Sequence, residues 1–365
     1  MAVVGRLVFS EWRPARLPPR AWLPTVLFIS WAWASGFWAY EFGAWVEGVG
    51  QIGLAASFFA AFAFFVRDEA QVQALLRTFV VGALAVAAIG IVQSSSGDRA
   101  IGLQGDGNLY AVYQVAAVPA AITLGRVSRS SHRMWWFVSV VPLVGSVLAS
   151  DSRGALLATV LVLALSMYPI IRNPADGRRR LAAAFATVLI LVAIAVTGAA
   201  FNDRLDPARI ASDRASGRLD LWLVAWNTAQ DHPELGLGAG NFKEQSVERL
   251  RTQPGVQLPN SHHLYDLDSI EVHNIYLETL VDYGVVGFLL FGSVIVGAGF
   301  GIRTGVRRVG QGTALDALGP MLVAYCTTAF FLSVVNSKLL WMIVGMAAAF
   351  QAVPRRQVSK VRVST

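Results

Sequence analysis

Apolar runs close to twenty residues long recur along the chain, separated by short clusters of arginine, and they constrain its fold more than any other feature. A helix of that length matches the hydrocarbon thickness of a bilayer, where only helices and closed barrels satisfy their own backbone polar groups. Ten such runs lie near residues 22–40, 50–66, 74–94, 108–125, 134–150, 154–171, 181–200, 274–301, 314–335 and 338–353. With 55% of residues hydrophobic, 15% charged and a mean hydropathy of +0.52, the chain reads as all-α and polytopic, not as a soluble domain. The expected fold is a membrane protein of about ten transmembrane helices with one long extracytoplasmic loop bearing amphipathic helices.

The basic residues orient this fold. The net charge of +7 would point to nucleic acid in a soluble chain, but here cytoplasmic loops account for it and no nucleic-acid partner is expected. With both termini in the cytoplasm, 20 of the 30 lysines and arginines fall inside, including Arg6, Arg13, Arg16, Arg20 and the run Arg178 to Arg180. The first apolar run lacks a small-residue cleavage site and reads as a signal anchor. The chain then divides into an N-terminal bundle of about seven spans (1–200), an extracytoplasmic loop (201–272), a C-terminal bundle of about three spans (273–353) and a cytoplasmic tail (354–365). The single cysteine, Cys326, sits in an apolar run and excludes an intramolecular disulfide.

Chemistry concentrates at the outer ends of the spans. In EVHNIYLETLVDYGVVGFLLFG, Glu271 to Gly292, His273 ends the polar loop, and Asn274, Glu278 and Asp282 recur every four residues as one polar stripe. A carboxylate in a bilayer costs a few kcal/mol, so this stripe should face protein or water. The competing structural reading is a helix cap and a packing seam, with Gly284 and Gly287 permitting close approach. His273 has the ordinary chemistry of a general base at neutral pH, and Glu278 is placed to orient it or line the site.

Arg153, in SDSRGALL, opens a span at the outer face, against the charge rule that most other loop arginines follow. An interfacial anchor or an ion pair with Asp151 would explain it, but a guanidinium fork there also suits phosphate. Arg218, in SGRLDLW, opens a helix whose Leu219, Trp222, Leu223 and Trp226 have amphipathic spacing, so that this stripe should lie on the membrane surface or pack on the spans. Its neighbours Arg204, Arg209 and Arg214 complete a basic cluster that anionic lipid head groups would also explain. In GDGNLYAVYQ, Asn108, Tyr110 and Gln114 put polar groups at the outer end of the fourth run, where Asn108 suits a helix cap as well as a substrate contact.

Two motifs invite other readings. GLGAG, Gly236 to Gly240, lacks the spacing and the preceding strand of a nucleotide loop and reads as a turn after Pro233. His262, His263, Asp266, Asp268, Glu271 and His273 match no structural zinc spacing, so no metal is assigned.

Together these residues resemble the family of O-antigen ligases and polymerases, membrane enzymes that transfer lipid-linked glycans. The resemblance rests on Asn108 at its helix start, the SRG turn at Arg153, SGRLDLW with Arg218, HPELGLGAGNF from His232 to Phe242, and HNIYLETLVDYGVVG from His273 to Gly287. SKLLW, Ser337 to Trp341, adds a further similarity at Lys338. The similarity covers about residues 100 to 350. It implies a bacterial inner-membrane enzyme, related to C-type glycosyltransferases, whose site faces the periplasm or cell exterior and which needs neither cofactor nor metal.

It further implies a polyprenyl (undecaprenyl) diphosphate-linked glycan donor and an acceptor such as a lipid A-core-like glycan. His273 would then act as the base in an inverting displacement, with Arg153 and Arg218 holding the diphosphate. Asn108, Asn274, Glu278 and Lys338 would have supporting roles. Ligase and polymerase share this donor chemistry, and both stay open. Transfer to protein fits less well because no acceptor domain is evident, and a non-catalytic transporter less well because the halves show no internal symmetry. The family commonly has about twelve spans, so the shortage here, before Asn108, bears on the route of the donor lipid.

Overall fold

The computed structural model describes residues 18–97, 99–128, 132–172, 217–256 and 269–352. Every regular element among them is helical. Helices occupy nine of the ten apolar runs; the remaining run, 181–200, lies outside the described residues, as do Arg204, Arg209, Arg214 and the span from His262 to Asp268.

The first helices are α1 (Pro19–Ala34), α2 (Phe42–Phe65), α3 (Glu69–Ser95) and α4 (Gly107–Val127). A break at Ser139 divides the fifth apolar run into α5 (Arg133–Val138) and α6 (Val140–Ala149), and α7 (Arg153–Arg172) follows. The loop contributes α8 (Arg218–Asp231) and α9 (Asn241–Thr252); α10 (Ile275–Val309), α11 (Leu318–Ala329) and α12 (Lys338–Ala349) complete the set. By length and composition, α2, α3 and α10 could each cross a membrane, whereas α12 and the stretches Arg133–Ala149 and Arg153–Pro169 are shorter apolar helices.

The burial pattern explains the arrangement. From Tyr110 to Gly125, α4 is buried on nearly every face, as expected of a helix that is apolar all round. It is the central post, packed by α3, α6, α7 and α11. Beside it, α10 packs on α1 and α12, and α12 packs on α2. A second, smaller core lies over one end of the bundle, where Leu221, Val224 and Ala225 of α8 meet Phe242, Val247 and Leu250 of α9 together with Val272 and Val281.

The face of α8 that packs is therefore Leu221–Val224–Ala225–Thr228, and not the predicted stripe, from which Leu219 and Trp226 are exposed. Two apolar stripes, offset by two residues, run along this helix, and the one with smaller side chains fits closely against its neighbours. Trp222 from the predicted stripe is half-buried, its ring centroid 5.5 Å from that of Phe330.

Helix α10 is broken one-third of the way along. Gly284 has φ 66° and ψ −174°, a conformation essentially confined to glycine, and a Cβ there would stand 2.1 Å from the Glu234 carbonyl oxygen. The break frees backbone groups that need partners in an apolar setting. The HPELGLGAGNF segment supplies most of them. Leu237 N–H donates to Val281 O (2.9 Å), Gly238 N–H to Asp282 O (2.8 Å), and Val285 N–H to Pro233 O (2.8 Å). The Tyr283 carbonyl accepts from Trp31 Nε1 of α1 at 2.9 Å. GLGAG is thus a docking loop that satisfies a broken helix, a use of its glycines different from a simple turn. At Gly287 the expected close helix approach is present, since an added Cβ would meet Trp31 Cδ1 at 3.0 Å.

Candidate functional site

The polar stripe on α10 separates into three jobs. Asn274 is the helix cap, its side chain accepting from the Tyr276 and Leu277 N–H groups. Asp282 reaches across to α9, whose own cap position is Gly240, and accepts from Gly240 N–H at 3.1 Å and Phe242 N–H at 2.9 Å. Both residues therefore act structurally, as the cap-and-seam reading has it. Glu278 differs. It bonds to Ser333, whose Oγ accepts the His273 backbone N–H at 3.0 Å, and its Oε2 is buried without a hydrogen-bond partner. Glu278 thus reaches the backbone of His273 through Ser333.

His273 immediately precedes the α10 cap and has φ 53°; Asp151, two residues before Arg153, has φ 57°. They are the only non-glycine residues with positive φ among those described, and such strain clusters where side chains must be aimed. Asp151 follows the end of α6 and turns the chain so that Arg153 becomes the first residue of α7. Gly154 of the SRG turn leaves room for Phe331, whose ring carbon would lie 2.3 Å from an added Cβ. Arg218 is likewise the first residue of α8, entered through Gly217 at φ 77°.

Four helix N-termini therefore contribute to one locality: α4, α7, α8 and α10. Arg99 and Arg153 both act electrostatically on Arg218, and Arg218 and Asp106 both act on His273. Desolvation, with the Arg99 and Arg153 charges, lowers the Arg218 pKa, and Asp106 opposes them. Desolvation first, and then Arg218, lowers the His273 pKa, again against Asp106, which leaves the imidazole neutral at pH 7. Its Nδ1 is buried without a hydrogen-bond partner. Three guanidiniums beside the positive ends of helices favour an anion.

Arg99 is the residue that the sequence reading passed over. Its guanidinium donates to the Ser150 carbonyl and, at 3.0 Å, to Asn108 Oδ1. Gly107 makes room for it, as a Cβ there would lie 2.5 Å from Arg99 Nε. The cap of α4 is Asp106, which accepts from the Asn108 and Leu109 N–H groups, so Asn108 is free of the cap role and instead holds Arg99. An arginine shortly before an apolar run, on the side that the charge distribution leads one to expect outside, was the available signal; it is the same signal that singles out Arg153.

The other named residues fall elsewhere. Tyr110 and Gln114 are fully buried in the bundle. Lys338 opens α12, and its ammonium stands 6.0 Å from the centroid of the Phe58 ring on α2. Among the described residues, no three His, Cys, Asp or Glu side chains are grouped to hold a metal ion.

Comparison with known proteins returns no curated relative. The family model described as O-Antigen ligase matches residues 137–292. The matched stretch contains Arg153, Arg218, His273 and Glu278 and ends within α10, so it is narrower than the similarity read from sequence and leaves out Arg99, Asn108 and Lys338. Over residues 137–292, the chain is thus similar to the O-antigen ligase family.

Proposed function

We propose that this protein transfers a glycan from a polyprenyl diphosphate carrier to an acceptor hydroxyl outside the cytoplasm. The observation that carries the reading is the grouping of Arg99, Arg153 and Arg218 beside a neutral, desolvated His273. Like charges so grouped repel, and an anionic ligand offsets that repulsion. A diphosphate leaving group fits, because its charge grows as the glycosidic bond breaks.

In the proposed displacement the acceptor oxygen forms a bond to the anomeric carbon while the carbon–oxygen bond to diphosphate breaks. The electron pair leaves on the diphosphate oxygen, where the arginines stabilise it, and the acceptor proton passes to His273. One displacement inverts the anomeric centre. No cofactor or metal has a step in this scheme. We place the site on the periplasmic or exterior face of the inner membrane, with both termini in the cytoplasm, a reading supported by the arginine distribution.

We read the reaction as ligase-type, with a finished glycan passing en bloc to an envelope glycoconjugate. The test is the glycan pool of a deletion strain, separated into carrier-linked and acceptor-linked fractions. Long chains stranded on the carrier are expected. Acceptors bearing single repeats would instead identify a polymerase, and unchanged pools would contradict both.

A further inference from the structure

A second polar feature lies beside the segment that carries His273. A cavity of about 80 Å³ is lined by Glu47 and Gln51 of α2, Lys243 of α9, Glu271 and Glu278, and Asn336 from the α11–α12 link. None of Arg99, Arg153 and Arg218 lines it. It reaches His273 through Ser333, which lines the cavity and accepts the histidine N–H, and through Val272.

We propose that this cavity binds the terminal sugar of the acceptor, and that it selects an uncharged or amine-bearing sugar over an anionic one. The inference rests on the transferase reading above and names the substrate class for its second half. Glu47 and Gln51 lie one turn apart on a helix long and apolar enough to cross a membrane. Directed into lipid, they would be costly, so their place is against water or a polar ligand. They are already ordered as one surface: Gln51 Nε2 donates to Glu47 Oε1 at 3.1 Å, and Asn336 Nδ2 donates to Gln51 Oε1. A row of carboxylate and amides presents acceptors and donors in fixed sequence, which is what the vicinal hydroxyls of a sugar require.

Two further observations point to a ligand. Glu278 Oε2, on the wall nearest His273, is buried and lacks a partner, so a hydroxyl donor would complete it. The volume holds several ordered waters, enough for the hydroxylated edge of one ring but not for an oligosaccharide. The charge sets the class. Glu47, Glu244 and Glu271 line the cavity with a single cation, Lys243, beside the buried Glu278 and the capping Asp282, so a uronate or sugar phosphate would meet like charge. His273 then stands between a cationic half for the leaving group and an acidic half for a neutral nucleophile.

The test is saturation-transfer NMR on the detergent-purified full chain with three soluble probes: a methyl hexoside, its 2-amino analogue and the matching methyl hexuronide. The hexoside and amino sugar are expected to bind, and the hexuronide at least tenfold more weakly. Gln51→Leu and Asn336→Leu, apolar replacements suited to a membrane setting, should abolish hexoside binding while donor affinity stays unchanged. Glu47→Gln should narrow the discrimination against hexuronide. Equal binding of all three probes, or undiminished hexoside binding in both leucine variants with wild-type melting curves, would overturn the proposal. Selective sugar binding in a protein that turns over no lipid-linked donor would leave the cavity assignment standing and overturn the transferase reading.

Discussion

Asp282 Oδ1 accepts the Phe242 backbone N–H at 2.9 Å, so a carboxyl group carried by one helix caps another 40 residues away. The contact fixes α9, which carries Lys243, against the N-terminal part of α10. Asp282→Ala leaves the Gly240 and Phe242 N–H groups unpaired, and a cost of roughly 2–3 kcal/mol is expected. The thermal midpoint should fall, while activity per folded molecule stays within a few-fold of wild type. A large loss of turnover at unchanged stability would place Asp282 in the chemistry instead.

Gly284 tests the broken helix. An alanine there has both a forbidden backbone conformation and a Cβ 2.1 Å from the Glu234 oxygen. Gly284→Ala should destabilise by on the order of 3 kcal/mol or more, read as lost expression or an early melt. Gly292→Ala is its control, since a Cβ at that position meets nothing within 4 Å.

Arg99 tests the extent of the cationic group beyond the family match. Arg99→Ala should lower kcat/KM for the lipid-linked donor by about 100-fold, the usual effect of removing one strong donor from a developing anion. Asn108→Ala, which removes one of its holders, should have a smaller effect in the same direction, and Arg99→Lys should recover part of the loss. Unchanged donor kinetics in Arg99→Ala would remove it from the site.

The pH profile has a determined sign. As the proposed base, His273 would act in its neutral form, and desolvation and Arg218 hold its pKa below 6.5, so kcat/KM should be flat near neutrality and fall on an acid limb below that value. Bound diphosphate offsets the Arg218 charge, so the limb in kcat should lie at higher pH than the limb in kcat/KM. Asp106 raises the histidine pKa, and Asp106→Asn, which keeps an oxygen for the helix cap, should move the kcat/KM limb to lower pH. A limb that does not move would sever Asp106 from His273.

The parts legible in sequence were those set by local rules. Apolar length located the helices, and the charge rule singled out Arg153, which does open α7, as a candidate. Placement at the loop's end singled out His273, which does precede the α10 cap, as another. Long-range partners were not legible. Four-residue spacing put Asn274, Glu278 and Asp282 on one stripe, yet the tasks of Asp282 and Glu278 depend on Phe242 and Ser333, which spacing cannot identify. GLGAG looks like a turn in sequence because its contacts are long-range, the Ala239 N–H to Ser35 Oγ bond at 3.1 Å spanning 204 residues. The cap of α4 fell on Asp106 and not Asn108, a choice between adjacent capping residues that the first turn of the helix makes.

The most direct test compares wild type and His273→Ala in detergent with a defined polyprenyl-diphosphate glycan, measuring donor affinity and glycan transfer in the same preparation. The account predicts donor affinity within about three-fold of wild type, because the arginines remain, and transfer reduced by at least about 100-fold, as for loss of a general base. Near-normal transfer by a correctly folded His273→Ala protein would contradict it.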